Sequence, residues 1–136
     1  MDPFLDALRA MTRDLEGNAS PRILRTHVSF DDQCVSLHNR NARGVPVLQV
    51  QFAWASIRRV CFKDNGPMAS DVLYVVTASG DRTLVIPLEA AGGGEFWRQL
   101  RARGLFPPEL HERATLSMDG RFYCWPPLAG NGLQDA

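Results

Sequence analysis

The sequence lacks every feature that would tie it to a membrane or to nucleic acid. No apolar run among its 136 residues approaches the ~20 that a membrane-spanning helix needs. The amino terminus carries acids instead of the basic and apolar regions of a secretory signal. Fifteen basic residues balance 15 acidic ones, so no overall field attracts an anionic polymer or surface. We therefore expect no transmembrane segment, no nucleic-acid binding and no peripheral membrane binding.

Cysteine and lysine are both scarce. The three cysteines, Cys34, Cys61 and Cys124, are odd in number and form no Cys-x-x-Cys pair, a pattern typical of reduced, buried thiols. This pattern predicts a cytoplasmic protein. Lys63 is the only lysine, and the excess of arginine beside abundant Ala and Gly is typical of a GC-rich bacterial genome. An arginine-rich protein interface is the functional alternative, since the guanidinium of Arg forms bidentate hydrogen bonds with carboxylates and the ammonium of Lys does not.

The composition predicts one globular domain over residues 1–136, with 45% apolar and 22% charged residues. Pro3 and an apolar stripe at helical spacing predict a helix over residues 3–16 that docks on the domain. Binding of that stripe to a partner or a membrane surface is the alternative. We divide the chain into this amino-terminal helix (1–17), a core (23–104) and a carboxyl-terminal extension (105–136) whose end frays after Pro126.

Short alternating segments closed by turn residues predict the strands of the core. They cover residues 23–30, 34–38, 45–52, 58–62, 71–77 and 82–88. In the third segment Leu48, Val50 and Phe52 are expected on one face of the strand. The fifth segment is the most apolar and is expected to be central. Apolar spacing then predicts a helix over 95–103, a shorter one over 109–114 and a last extended segment over 116–125.

Four short motifs resemble the pleckstrin-homology-like superfold of bacterial proteins over residues 23–104. They are the turn Phe30-Asp31-Asp32, the Trp-x-x-Ile-x-x-Val segment Trp54–Val60, the strand start Asp71-Val72-Leu73-Tyr74, and Ile86-Pro87-Leu88-Glu89 before a helix. The resemblance implies an α+β fold, in which an antiparallel barrel or sandwich is capped by a carboxyl-terminal helix and an amino-terminal helix is added. Lipid-binding members carry basic residues around the first hairpin, whereas Asp31 and Asp32 stand at that tip here.

No group of residues forms a coherent reactive motif. The three cysteines and the histidines His27, His38 and His111 are isolated from one another in sequence. Gly92-Gly93-Gly94 precedes a helix but lacks the Lys-Ser/Thr of a phosphate-binding loop, so we interpret it as a flexible hinge. Asp31 and Asp32, in the turn after the first strand, are interpreted as turn formers. We expect no catalytic residue, no metal and no cofactor, and we predict that the protein is not an enzyme.

Two groups of residues are candidates for contact with a partner. Arg40, Arg43, Arg58 and Arg59 could form a basic patch for acidic partners. Tyr123 and Trp125 lie in an aromatic segment next to prolines, which is typical of interface anchors, but folding of these rings onto the core is the favoured interpretation.

The sequence thus predicts a bacterial protein-binding module, an adaptor or a toxin-neutralising immunity-type protein. A domain that binds a small lipid or phosphate-bearing ligand is the alternative, and an uncharacterised enzyme is a third possibility that ranks below both. Homo-oligomerisation is left open.

Overall fold

A computed structural model gives the fold and describes residues 4, 26–64, 71–78, 83–116, 121–127 and 133–134. The strands are β1 Thr26–Phe30, β2 Cys34–Arg40, β3 Pro46–Ala53, β4 Ile57–Lys63, β5 Val72–Thr77, β6 Thr83–Pro87, β7 Phe122–Trp125 and β8 Leu133–Gln134. The helices are α1 Gly93–Ala102 and α2 Pro108–Leu116, and a short 3₁₀ turn covers Trp54–Ser56. Of the helix predicted over 3–16, only Phe4 is described, and it is helical.

The described strands form two antiparallel sheets in an α+β fold. One sheet has the order β1-β2-β3 and the other the order β6-β5-β4-β7-β8. The α+β class with antiparallel strands is confirmed, but these strands do not close into a barrel. None of the described strands of one sheet pairs with a strand of the other, and the 3₁₀ turn at Trp54–Ser56 carries the chain from β3 in one sheet to β4 in the other. The strand β5 lies between β4 and β6 and is almost wholly buried, which confirms its central position.

The main core joins both sheets to helix α1. Phe96, Trp97 and Leu100 of that helix are buried in one cluster with side chains from β1–β6 and β7. The strand-like alternation places Val60 and Phe62 in this cluster, and the cross-strand partner of Phe62, Tyr123, joins them. Burial of such side chains contributes roughly 1.5–3 kcal/mol each, so this cluster is the main source of stability.

A second, smaller cluster covers the opposite face of the five-stranded sheet. It contains Cys61, Tyr74 and Phe122, all fully buried, and the helical Phe4 packs against it. Cys61 and Cys124 lie directly opposite each other on β4 and β7, with Cα atoms 4.0 Å apart, and they form a disulfide. The prediction of reduced thiols is therefore wrong for this pair. Sequence spacing hides the pairing because the two cysteines are 63 positions apart in the chain.

Strand β3 departs from its predicted alternation. Val50 pairs with Leu37 and Leu48 pairs with His38, so Gln49 is an extra residue without a partner on β2. Such a bulge shifts the following side chains to the other face of the sheet. Leu48 therefore shares a face with His38, and its predicted place beside Val50 and Phe52 is wrong.

The glycines before α1 are required by close packing. A Cβ on Gly92 would lie 1.9 Å from the carbonyl oxygen of Val28, and its φ of +81° also favours glycine. A Cβ on Gly93 would lie 2.7 Å from the carbonyl oxygens of Pro87 and Leu88. Ala91 accepts a hydrogen bond from the N–H of Val28 at 2.8 Å. The interpretation as a flexible hinge is replaced by one of tight contact with β1.

The carboxyl-terminal region is built into the larger sheet. Strand β7 pairs with β4, and Leu133 and Gln134 pair with β7 although fraying was predicted after Pro126. Strands β7 and β8 thus belong to the same sheet as β4, β5 and β6.

Candidate functional site

Strand β3 forms an exposed border of the three-stranded sheet, and we call its unpaired side the β3 edge, residues 46–53. Among the described strands it pairs only with β2. Its eight residues, Pro46–Ala53, contain no charged side chain. Val47 is 42% exposed and Leu48 is 52% exposed, on opposite faces of the strand. A long, uncharged, apolar border of this kind presents free N–H and C=O groups that can pair with another strand.

The hairpin that joins β2 to β3 has a well-defined tip. The side-chain oxygen of Asn41 accepts hydrogen bonds from the N–H groups of Arg43 and Val45, at 2.9 and 3.1 Å. Arg40 donates to the carbonyl oxygen of Gly44 at 2.8 Å, so its guanidinium lies across the tip. The tip therefore holds Arg40 and Arg43 at the start of the β3 edge.

The four predicted arginines do not form one patch. Arg40 and Arg43 share the hairpin tip, whereas Arg58 and Arg59 lie on β4 of the other sheet, and Arg58 donates to the carbonyl oxygen of Ala55 at 3.2 Å. Arg59 lies on the second sheet, where its guanidinium stacks 5.3 Å from the ring centre of Phe4. The fold thus brings two of the four together and places a third near the other end of β3.

The predicted aromatic pair is divided between core and surface. Tyr123 is 3% exposed and belongs to the main core, so it has no surface to offer a partner. Trp125 is 40% exposed, and a cis peptide bond joins it to Pro126. Of the two predicted anchors, only Trp125 is at the surface.

The junction between the sheets is fixed by Trp54. Its ring N–H donates to the carbonyl oxygen of Asp31 at 2.8 Å, and its ring is stacked with Phe96 at 5.6 Å between ring centres. The guanidinium of Arg103 lies 4.1 Å from its ring centre and donates to the carbonyl oxygen of Asp32 at 3.4 Å. These contacts hold the first turn and the end of β3 against α1.

Within the residues that the structure describes, two titratable groups have shifted pKa values. Hydrogen bonds from the N–H groups of Cys34 and Gln33 hold the pKa of Asp31 below its ordinary value, which confirms its role as a turn former. Partial burial, and then the charge of Arg101, lower the pKa of His111. The His111 ring lies 5.5 Å from that of Trp97, in an edge-to-face arrangement. The contacts of Asp31 therefore stabilise the first turn, and those of His111 pack α2 against α1.

The reactive side chains are few in the described part of the chain. His27 and His38 lie opposite each other on β1 and β2, with ring centres 6.2 Å apart. Cys34 is the free cysteine there, and it is four residues from His38 along the same strand, which is roughly 13 Å. No cluster of three or more His, Cys, Asp or Glu suited to a metal ion occurs within those residues.

Sequence reasoning allowed binding through a sheet edge but did not identify β3 as that edge, although one signal was available. Residues 33–63 contain no Asp or Glu and carry Arg40, Arg43, Arg58, Arg59 and Lys63. The zero net charge of the whole chain conceals this local imbalance. That β3 is a border strand could not be read from its alternation.

Neither a protein-family model, nor a curated protein, nor a solved structure matches this chain. Among the described helices, none has the length and apolar character required to cross a bilayer.

Proposed function

We propose that this protein is a non-enzymatic module that binds another protein through the β3 edge. The observation that carries the proposal is the combination of an eight-residue border strand with no charge and two strongly exposed apolar side chains, Val47 and Leu48. Natural border strands are usually short, charged or covered, because an open border recruits other strands. An adaptor or an immunity-type protein that neutralises a toxin would use such a border.

Strand addition explains why the binding surface needs no reactive group. Main-chain hydrogen bonds supply affinity, and side chains on alternate positions supply selectivity. We also propose that the fold is pleckstrin-homology-like, with α1 as the helix that caps the sheets. It is supported by the Trp54, Ile57 and Val60 motif, all three of which are buried in the main core.

The cellular location forms part of the proposal. A cytoplasmic location was predicted from unpaired thiols, but the Cys61–Cys124 disulfide argues for an oxidising compartment, since cytosolic thiols are kept reduced. We therefore propose that the module meets its partner outside the reducing cytosol. Acid quenching of cells followed by alkylation of the denatured protein tests this, since alkylation of Cys61 and Cys124 before any reduction would contradict it.

Affinity capture from the producing organism tests the proposed function. The bait is the wild-type chain, the double variant Val47→Lys/Leu48→Lys, or the control Leu116→Lys, which changes an apolar side chain that is 76% exposed at the end of α2. All three changes are at exposed positions and should alter stability by about 0.5 kcal/mol or less.

We expect a stoichiometric protein partner with the wild type and the control, and its loss with the β3 variant. Inward-facing or border lysines oppose strand addition because they would be desolvated. Retention of the partner by the β3 variant, with unchanged thermal unfolding, would contradict the proposal, as would the absence of any stoichiometric partner.

A further inference from the structure

The charge around the β3 edge identifies the kind of segment that fits it. Residues 39–52, which include the hairpin tip and most of β3, contain two arginines and no acid. No described carboxylate is hydrogen bonded or ion paired with Arg40 or Arg43. The guanidinium of Arg40 is held at the tip by Gly44, so its charge stays beside the first residues of β3.

The opposite end of β3 is electrically balanced. Arg58 and Arg103 lie near the chain that follows Ala53, but Asp31 and Asp32 occupy the adjacent turn. The charge along the β3 edge is therefore asymmetric, positive at the tip and neutral at the other end. At about 3.3 Å per residue the eight-residue strand is roughly 26 Å long, more than twice the Debye length of about 8 Å at physiological salt. The two ends consequently act on a bound segment independently.

We propose, building on the function proposed above, that the β3 edge accepts an extended segment of another protein with an uncharged, β-branched or apolar centre and acidic residues at one end. The acidic end lies beside Arg40 and Arg43. Antiparallel pairing is the commoner and slightly more stable mode, and it places the carboxyl-terminal end of the segment at the tip, where β3 begins.

A second copy of this chain fits the border less well. Parallel pairing of two β3 strands would set one pair of tip arginines against the other. Antiparallel pairing would set each tip against the balanced end of the other copy, where Arg58 and Arg103 offset Asp31 and Asp32, so neither arrangement offers Arg40 and Arg43 a net negative charge. Like charges across an interface disfavour wrong partners.

Selection from a displayed library of random linear peptides of about ten residues tests the inference. The targets are the wild-type chain, Arg43→Glu, the β3 double variant Val47→Lys/Leu48→Lys, and Arg113→Glu, which reverses an exposed arginine on α2. We expect wild type and Arg113→Glu to enrich peptides with β-branched centres and Asp or Glu near the carboxyl terminus. The β3 double variant should enrich none of them.

The affinity of one enriched peptide, measured by fluorescence anisotropy, separates charge from strand pairing. We expect Arg43→Glu to weaken binding about three- to tenfold at low salt, and the difference should shrink as salt is raised. Arg113→Glu should leave the affinity unchanged.

Each other outcome has a distinct meaning. Enriched peptides without acidic bias that still depend on Val47 and Leu48 would overturn the acidic class and leave the proposed edge function intact. Peptides that bind the β3 double variant equally well would overturn both. A wild-type dimer in analytical ultracentrifugation that the β3 double variant abolishes would identify a second copy as the occupant and overturn the inference.

Discussion

Loss of the Cys61–Cys124 disulfide is expected to destabilise the fold strongly. The bond closes a loop spanning 63 positions, and removing such a cross-link from the unfolded chain costs about 4 kcal/mol in the chain-entropy treatment. Domains of this size are stable by about 5–15 kcal/mol in total. For 136 residues an unfolding entropy near 2.1 cal/mol/K per residue converts this loss into a fall in Tm of roughly 14 °C.

Thermal unfolding of Cys61→Ala/Cys124→Ala, followed by circular dichroism, measures the effect. Cys34→Ala is the matched control, because that thiol is unpaired and half-buried, and it should change stability by about 1 kcal/mol or less. Both paired sulfurs are fully buried, so we also expect the native protein to resist reductant until it unfolds. A double variant that melts within about 3 °C of wild type, or peptide mapping that finds Cys61 and Cys124 unlinked, would refute the reasoning.

Three further predictions concern the backbone and the shifted pKa values. Gly92→Ala should destabilise the chain by about 3 kcal/mol or more, since its Cβ would meet a backbone oxygen of β1. Gly94→Ala, which has open space around the added Cβ, should be neutral or stabilising by up to about 1 kcal/mol. Urea unfolding curves of the two variants check this difference. The lowered pKa of His111 favours the neutral ring in the folded state, so its contribution to the free energy of unfolding is complete above pH 6.5 and declines as the pH falls below that value. In unfolding curves taken between pH 7.5 and 5, His111→Gln should reduce this dependence of stability on pH. The lowered pKa of Asp31 contributes stability above pH 3.8 that is lost on further acidification, and acid titration of Asp31→Asn should lack this component.

The local pattern of the sequence predicts most of the strands and both helices. The run Val72–Thr77 is almost continuously apolar because β5 is covered on both faces, and the spacing of Phe96, Trp97 and Leu100 follows the buried side of α1. These patterns involve residues that are close together in the sequence, so they can be recognised without knowing the fold.

Contacts between distant residues could not be predicted in this way. The β4–β7 pairing that joins Cys61 to Cys124 leaves no periodic trace, and the cysteine count alone favoured free thiols. The bulge at Gln49 reverses the facing of Leu48, and alternation gives no sign of it.

The candidate site shows the same division. Arg40 and Arg43 were recognised as neighbours because a turn sequence separates them, and the tip holds both. The exposure of β3 depends on which strands border each sheet, which is a property of the whole topology. The burial of Tyr123 agrees with the favoured interpretation that the aromatic segment folds onto the core, but the sequence does not distinguish it from the exposed Trp125, because that depends on how β7 lies beside β4.

Hydrogen–deuterium exchange of the backbone amides on addition of the captured partner tests the binding role of β3 most directly. Strand addition converts exposed N–H groups of residues 46–53 into hydrogen-bonded ones, so their exchange should slow markedly upon binding. The amides of the five-stranded sheet should be little affected. Unchanged exchange in residues 46–53, with protection instead around Trp125, would contradict the assignment of the β3 edge as the binding surface.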